Sequence, residues 1–537
     1  MTVAALVRRV VALSSLSIAI AAQTPITGEE TGANDWFGFS VDLQGSTLVV
    51  GAPQHDHGGF VNSGGVYVFT LSGSTWSEIA ELAASGMSDL DRIGSDVAID
   101  GDTIAVGAEG DVGCGAVYVF ARNAGSWSEQ ARIIAADCDQ DDYFGRSLAL
   151  SGDTLVVGAP GDDENGNLSG AIYVSERAGT SWSVPAKILA DGFTGQAAFG
   201  TDVAIDGDTM LASLMQDNSP YAYPGAVLVY LRSGSTWALQ ATLRANSPSN
   251  YLRFGYSLAL EGDRAVMGST GLPGYAYVLE RSGTTWTEIQ RLEALNPQGV
   301  AFFGSHVALH GARLAVGAIG TSGPAANCGS AYVFDRLGNS WVQSHFFQSP
   351  TPGADDAFAT VAIHSATVVV GETRDNAAGT NSGSAHVFDI NEPVNYCTAG
   401  TTSSGCLASM SLLGVASASN AAPAFITATG VEGQRFGLLF AGFGRAAIPW
   451  YPSSSSYLCV AQPVSRLMAP ASSGGNAQQC DGAFTLDFNA SVAANGGMLL
   501  GQAVVAGSIL DTQAWFRDPP AVKTTNLSNG LEFAVFP

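Results

Sequence analysis

Seven segments of this chain share one residue pattern, and this repeat restricts the possible folds more than any other feature. The segments align without gaps and start 49 to 56 residues apart. Their first residues are Phe37, Ile93, Phe144, Phe199, Phe254, Phe303 and Ala357. A period of this length is typical of an array in which each unit is one supersecondary element. The repeat therefore predicts a modular domain over residues 23–390.

Each unit has the pattern of four short strands. The first strand alternates apolar and polar residues and ends in a two-residue turn such as Gly101-Asp102. The second strand is a continuous apolar run such as Thr154–Ala159, which must be buried on both faces. A radial array of four-stranded sheets hides its edges by closing into a ring. The predicted fold is therefore all-β, with a seven-bladed β-propeller.

A tryptophan opens the predicted fourth strand in six units: Trp76, Trp127, Trp182, Trp237, Trp286 and Trp341. A large aromatic residue at a fixed repeat position favours a packing anchor between blades over a role in ligand binding. The seventh unit lacks this strand after Phe388, so the N-terminus should supply it. Ile26 aligns with the apolar end of other outer strands, such as Leu82 and Ile133. We therefore predict a short clasp at Ile26 or a three-stranded final blade.

The charge balance of the chain restricts its partners. Of 537 residues only 13% are charged, the formal net charge is −25, and Lys187 and Lys523 are the only lysines. Such a surface repels nucleic acid and anionic lipid, so neither is expected as a partner. We expect a monomer that binds an extracellular protein or glycan.

Residues 1–22 have the features of an export signal. Arg8 and Arg9 precede an apolar run over residues 10–19, and Ala19-Ile20-Ala21 is a small-x-small cleavage pattern. The run is too short to span a bilayer, and no later segment has a transmembrane pattern. We therefore predict a signal peptide over residues 1–22, a secreted or cell-surface protein, and disulfide bonds.

Two units contain complete copies of a known motif: Phe37-Gly38 with Gly51-Ala52-Pro53, and Phe144-Gly145 with Gly158-Ala159-Pro160. They resemble the FG-GAP repeat, which builds the propeller of integrin α chains and of many bacterial surface proteins. The resemblance covers the seven units and implies a propeller of this kind. Integrin-type repeats often carry an Asp-x-Asp-x-Asp-Gly calcium loop between the two motifs. This chain has only a two-residue turn there, which is too short to wrap the ion.

Two loops contain candidate metal ligands. In the third unit, Asp162, Asp163, Glu164 and Asn165 offer oxygen atoms that could hold Ca²⁺, and no other cofactor is expected. The alternative is a solvated turn rich in Asp, Asn and Gly. In the first unit, His55-Asp56-His57 could chelate a transition metal or could be surface decoration, because the sequence indicates no third ligand.

Three cysteines lie in the predicted propeller. Cys114 and Cys138 fall in loops that should emerge on one face, so we predict a disulfide bond between them. Cys328 aligns with Cys114 in a distant blade and should stay unpaired.

The repeat stops near residue 390, and residues 391–537 are predicted as a small disulfide-containing β-sandwich-like domain. Alternating runs at residues 484–488 and 498–505 indicate strands. Four cysteines lie in this region and allow three pairings: Cys397, Cys406, Cys459 and Cys480. We favour Cys397 with Cys406 and Cys459 with Cys480, because each pair closes a short loop.

The sequence contains no Gly-x-Ser-x-Gly elbow, no zinc-protease helix motif and no phosphate loop. The leading hypothesis is a non-catalytic binding or adhesion protein whose variable loops contact protein or glycan. The alternative is an extracellular propeller enzyme, a polysaccharide lyase or hydrolase. It would need acids, His, Tyr or Arg that converge in the central channel or on one face. A structural envelope component is a third possibility.

Overall fold

The computed structural model describes residues 25–390 except 74, 194, 218–220, 273, 295–301, 323–324 and 338–339. Beyond residue 390 it describes short strands and one helix. The chain divides into two compact units, of which one ends at Asp389 and the other begins at Ile390. In the first of these, seven antiparallel sheets follow one another along the chain. It is a seven-bladed β-propeller, as the repeat predicts.

The strands of each blade follow in chain order from the inside of the ring to the outside. Blade 1 contains Ser40–Gln44, Thr47–Ala52, Gly65–Ser72 and Thr75–Glu81. Blade 2 contains Ile93–Asp100, Thr103–Ala108, Ala116–Asn123 and Ser126–Ile133. Blade 3 contains Ser147–Ser151, Thr154–Ala159, Ala171–Ala178 and an outer strand in two pieces, Ser181–Trp182 and Ala186–Leu189. Blade 4 contains Val203–Asp206, Thr209–Leu214, Ala226–Ser233 and Thr236–Leu243.

The remaining blades have the same order. Blade 5 contains Phe254–Glu261, Arg264–Ser269, Tyr275–Ser282 and Thr285–Leu292. Blade 6 contains Phe303–His310, Arg313–Ala318, Ser330–Leu337 and Ser340–Phe347. Blade 7 contains only Phe358–His364, Thr367–Glu372 and Ser384–Asp389. A short 3₁₀ helix, Asp111–Gly113, lies in a loop of blade 2.

Burial follows the order of the strands within a blade. Every residue of the second strand is buried in blades 1 to 4, whereas an outer strand such as Ser126–Ile133 is partly exposed. The phenylalanine that opens a unit packs on a tyrosine of the third strand. Phe144 and Tyr173 show this contact, with 5.2 Å between ring centroids. The apolar second strands therefore form the core between neighbouring blades, as predicted.

The ring closes between blade 7 and blade 1. The first strand of blade 7, Phe358–His364, contacts the first strand of blade 1, Ser40–Gln44. Blade 7 has three strands, and Ile26 forms an antiparallel bridge with Ala385 at its outer edge. The Ile26 N–H donates to the Ala385 carbonyl at 2.7 Å, and the Ala385 N–H donates back at 2.9 Å. The predicted short clasp and the three-stranded final blade therefore occur together.

Glycine is required where neighbouring blades meet. A Cβ atom on Gly107 would lie 2.1 Å from the carbonyl oxygen of Gly145, in the Phe-Gly pair of the next blade. At the closing interface, a Cβ on Gly371 would lie 2.0 Å from the carbonyl oxygen of Gly38. Both distances are far below van der Waals contact. The two glycines of the repeat motif therefore meet each other across the blade interface.

The repeated tryptophans pack between blades, as predicted. Trp182 of blade 3 joins a core cluster that contains residues of blades 2 and 3. Its Nε1 donates to Gln130 on the outer strand of blade 2 at 2.9 Å. The guanidinium of Arg177 lies 5.3 Å from the centroid of its ring. A cation over an indole face adds to the stability of such a contact.

The second unit is also built of strands. One sheet contains Asn395–Tyr396, Gly530–Ala534, Ile509–Arg517, Gly437–Gly442, Ser465–Met468 and Thr525–Leu527. A second sheet contains Ser409–Leu413, Phe425–Val431 and Gly482–Asp487, and smaller pairs are Arg445–Pro449 with Tyr457–Val460 and Met498–Leu499 with Gln502–Ala503. The two larger sheets contact each other, as expected for a sandwich-like domain. Phe488, predicted to continue a strand, instead begins the helix Phe488–Ala494.

Candidate functional site

One face of the propeller carries the variable loops. Antiparallel strands place the loops between second and third strands on the same side as the connections between blades, and we call this side the loop face. A disulfide bond joins Cys114, in such a loop, to Cys138, in such a connection, with 5.6 Å between the Cα atoms. Cys328 is buried and free. Cys397, Cys406 and Cys480 lie outside the described residues, and for Cys459 only the backbone strand is described.

The loop predicted to bind calcium is arranged around an ammonium group. The Nζ of Lys187 lies 2.6 Å from Asp162 Oδ2, 2.6 Å from Glu164 Oε2 and 2.7 Å from Asp137 Oδ2. Burial lowers the pKa of Lys187, but its hydrogen bonds to these carboxylates raise the pKa by more, so the net shift is upward. Lys187 thus already supplies the positive charge that the buried Asp162 requires.

The two other predicted ligands point elsewhere or remain in solvent. The Asn165 Nδ2 donates to the carbonyl of Phe193 at 2.8 Å, and Asp163 is exposed. Calcium binding at this loop stays a prediction.

The ion pair between the loop and the outer strand is repeated in other blades. Asp111 of blade 2 pairs with Arg132 at 2.5 Å, and Asp217 of blade 4 pairs with Arg244 at 2.6 Å. In each pair the aspartate is buried and the base is half-exposed. The basic residue therefore neutralises a carboxylate that could not remain charged alone in the protein interior.

Blade 1 reverses the charges of this pair. Its loop carries His55 at the position of Asp111, and its outer strand carries Glu81 at the position of Arg132. His55 Nε2 lies 3.6 Å from Glu81 Oε1, and His57 Nδ1 lies 2.9 Å from the same oxygen. Together with Glu30 these residues place four potential ligand atoms within 4.8 Å of one another. We call Glu30, His55, His57 and Glu81 the blade 1 cluster.

A fifth residue, Asp35, holds His55 in place. Its Oδ2 lies 2.8 Å from His55 Nδ1, and both side chains are buried. Burial lowers the pKa of His55, but the hydrogen bond to Asp35 and the charges of Asp35 and Glu81 raise it more, so the net pKa is raised. The sequence identified the histidine pair but missed the glutamates. The sequence could have pointed to Glu81, because this residue occupies the repeat position at which two other units have Arg132 and Lys187.

A second acid–histidine group lies inside blade 7. Glu372 Oε2 is 2.7 Å from His386 Nε2 and accepts the hydroxyl of Ser349 at 2.9 Å. Asp375 completes the group, and all three ionisable side chains are buried. Burial raises the pKa of Glu372, opposed by its hydrogen bond to His386. Because this group is enclosed by the fold, it offers no surface to a large ligand.

Three partly buried aspartates, Asp42, Asp96 and Asp202, lie on or directly before innermost strands. Each accepts a backbone N–H from the following blade, as Asp96 does from Leu148 at 2.8 Å and Asp202 does from Leu258 at 2.6 Å. Burial raises the pKa of Asp42 to about 6 and that of Asp96 to about 7. These residues are not among the site residues predicted from the sequence. Their backbone hydrogen bonds join neighbouring blades.

An aromatic pocket of about 170 Å³ opens on the loop face between blades 6, 7 and 1. Its lining includes Trp36, Phe39, Ile319, Asn327, Asp355, Ala357, Thr373 and Arg374. Trp36 and Phe39 stack with 6.0 Å between ring centroids, and the Arg374 guanidinium lies 5.8 Å from the Trp36 ring centroid. A larger pocket of about 400 Å³ between blades 3 and 4 is lined by arginines that already pair with Asp153 and Glu176. The side chains that line the aromatic pocket are therefore more available to a ligand than the paired arginines of the larger pocket.

These features define a seven-bladed β-propeller with a loop-bearing face and an aromatic pocket. The FG-GAP repeat family matches the sequence at residues 21–69, 76–120, 127–175 and 286–334. The chain therefore contains FG-GAP repeats in four places, and its propeller matches the fold that these repeats build. This family and its fold support a binding or adhesion-type scaffold. Among the described residues, no helix is both long and apolar enough to cross a membrane.

Proposed function

We propose that this chain is a non-catalytic secreted or cell-surface protein that binds an extracellular protein or glycan through its loop face. The observation that carries this proposal is the position of the exposed apolar side chains. Most of the large ones lie in loops or connections of that face: Phe60, Val61, Leu90, Val112, Tyr143, Leu168, Tyr221, Tyr251, Leu272 and Ile319. Apolar groups that gather on one surface typically mark an interaction site.

The aromatic pocket is the proposed centre of this surface. Trp36 and Phe39 offer flat apolar faces, while Arg374 and Asp355 offer a donor and an acceptor beside them. Aromatic rings flanked by a few polar groups are the combination that binding pockets use for sugars and for protein side chains.

Export is proposed on independent grounds. The disulfide between Cys114 and Cys138 fits an oxidising compartment, and residues 1–22 have the pattern of a cleaved signal. We propose the domain organisation 1–22, 23–390 and 391–537. N-terminal sequencing of the exported chain should find a start at Ala22 or Gln23.

The binding proposal is tested with glycan and protein arrays probed with the purified chain. We expect specific ligands whose signal is lost in Trp36→Ala and in Arg374→Ala. Val184→Ala is the matched control, because Val184 is 74% exposed on the outside of blade 3, away from the pocket. Uniform silence on the arrays, or equal loss in all three variants, would reject the proposal.

A further inference from the structure

The blade 1 cluster has two carboxylates and two imidazoles but contains neither Lys nor Arg. At the two matching positions blade 3 has Asp162 and the ammonium of Lys187, whereas blade 1 has His55 and Glu81. Glu30 adds a further carboxylate to this cluster. Among the described residues, neither of these glutamates is paired with a Lys or Arg. Glu81 is partly buried and Glu30 is exposed, and either a protonated histidine or a bound cation can supply the positive charge that balances them.

His55 presents an unused donor atom to this cluster. Asp35 Oδ2 accepts the N–H of Gly32 and also contacts His55 Nδ1 at 2.8 Å, so Nδ1 carries the proton that Asp35 accepts. In the neutral imidazole the other ring nitrogen, Nε2, then has a free lone pair. It is buried, has no hydrogen-bond partner and faces Glu81. A carboxylate that orients an imidazole in this way is the usual support of a metal-binding histidine.

We propose that the blade 1 cluster binds one divalent transition-metal ion of the zinc class through Glu30, His55, His57 and Glu81. Ligands at zinc distances of about 2.0–2.1 Å in a tetrahedral site lie about 3.3 Å apart. The 3.6 Å between His55 Nε2 and Glu81 Oε1 is close to that spacing. All four ligand atoms lie within 4.8 Å, so small side-chain rotations complete the site. Two imidazoles favour such an ion over calcium, which selects oxygen ligands.

The ion would connect two parts of the chain that are distant in sequence. Glu30 follows Ile26, whose backbone closes blade 7 against Ala385, while the other three ligands belong to blade 1. A bound ion therefore fastens the N-terminal clasp to blade 1. This role goes beyond ligand binding at the loop face and does not depend on it.

The test uses the purified full chain after removal of metal with a chelator. Calorimetric titration with Zn²⁺ should show one ion per chain, and Co²⁺ in its place should show the absorption bands of a tetrahedral site. His57→Ala and Glu81→Gln should each weaken binding at least tenfold. Asp35→Asn, a positioning change, should weaken it about 10- to 100-fold. All variants need a circular dichroism spectrum that matches the parent chain.

The matched control is the partly exposed imidazole pair His310 and His364, whose ring centroids lie 4.2 Å apart. The double variant His310→Ala/His364→Ala should bind Zn²⁺ as the parent does. The proposal is overturned if Zn²⁺ does not bind, or if the control variant loses binding while His57→Ala retains it. The clasp is tested by hydrogen exchange at the Ile26 amide, which should slow on addition of Zn²⁺. An unchanged rate with metal bound would reject the link to ring closure.

Discussion

A single methyl group at a blade interface should destabilise the propeller strongly. Gly107 faces the Gly145 carbonyl of the next blade, and the substitution Gly107→Ala adds a Cβ that would lie 2.1 Å from that oxygen. The same Cβ would lie 3.1 Å from the Ser95 Oγ. Because the closest atom belongs to the backbone, no side-chain rotation removes the overlap. The two blades must separate instead.

The magnitude follows from the size of this separation. Favourable carbon contacts begin near 3.5 Å, so the backbones must move apart by about 1.4 Å. Overpacking of a well-packed core costs about 1–3 kcal/mol, and two rigid backbones place this change at the upper end, about 3 kcal/mol. Gly101→Ala is the matched control. Gly101 has a φ of +59°, and no atom lies within 4 Å of its added Cβ. Its cost is only the left-handed backbone, about 1 kcal/mol.

Urea unfolding followed by tryptophan fluorescence measures both changes. The free energy of unfolding should fall about three times as far for Gly107→Ala as for Gly101→Ala. Equal losses would refute the reasoning, because they would show that the blades yield without cost at the glycine contact.

Three further perturbations test the loop face and the innermost strands. Replacement of Cys114 and Cys138 by alanine opens a loop with a sequence separation of 24. It should lower the free energy of unfolding by about 3 kcal/mol in urea, with no further change under reducing conditions. Lys187→Met leaves Asp162 buried without its cation and should cost about 3 kcal/mol, which Lys187→Arg should largely restore. Since burial raises the folded pKa of Asp96 from 3.8 to about 7, the folded state retains a proton that the unfolded state has lost, so stability falls as pH rises from about 4 to about 7. The melting temperature of Asp96→Asn should fall less between pH 5 and 8; a parallel profile would contradict the assignment.

The repeat was sufficient to predict the propeller because each unit has the same local sequence pattern. The apolar second strand, the two-residue turn and the tryptophan are all properties of short segments, so their period reveals the blades directly. Even the clasp at Ile26 was predictable, because alignment of the outer strands identifies which unit lacks one.

The sites were less predictable because they depend on contacts between distant segments. The aromatic pocket exists only after Trp36 meets Arg374 at the closing interface. The histidine pair of blade 1 gains its glutamates from a separate strand and from the clasp segment. The acidic loop of blade 3 shows the converse case. The sequence showed the carboxylates but not that Lys187 neutralises them from another strand.

The glycine contact at the closing interface has a consequence for chain connectivity. Gly371 meets Gly38 across blades 7 and 1 just as Gly107 meets Gly145 across blades 2 and 3. No chain connection links blade 7 to blade 1, yet their interface is packed like the interface between blades 2 and 3, which a connection does link. Packing between blades therefore does not determine at which blade the propeller chain starts and ends. A circular permutant that joins the present ends of the propeller and opens another connection on the loop face should assemble the same seven-bladed ring.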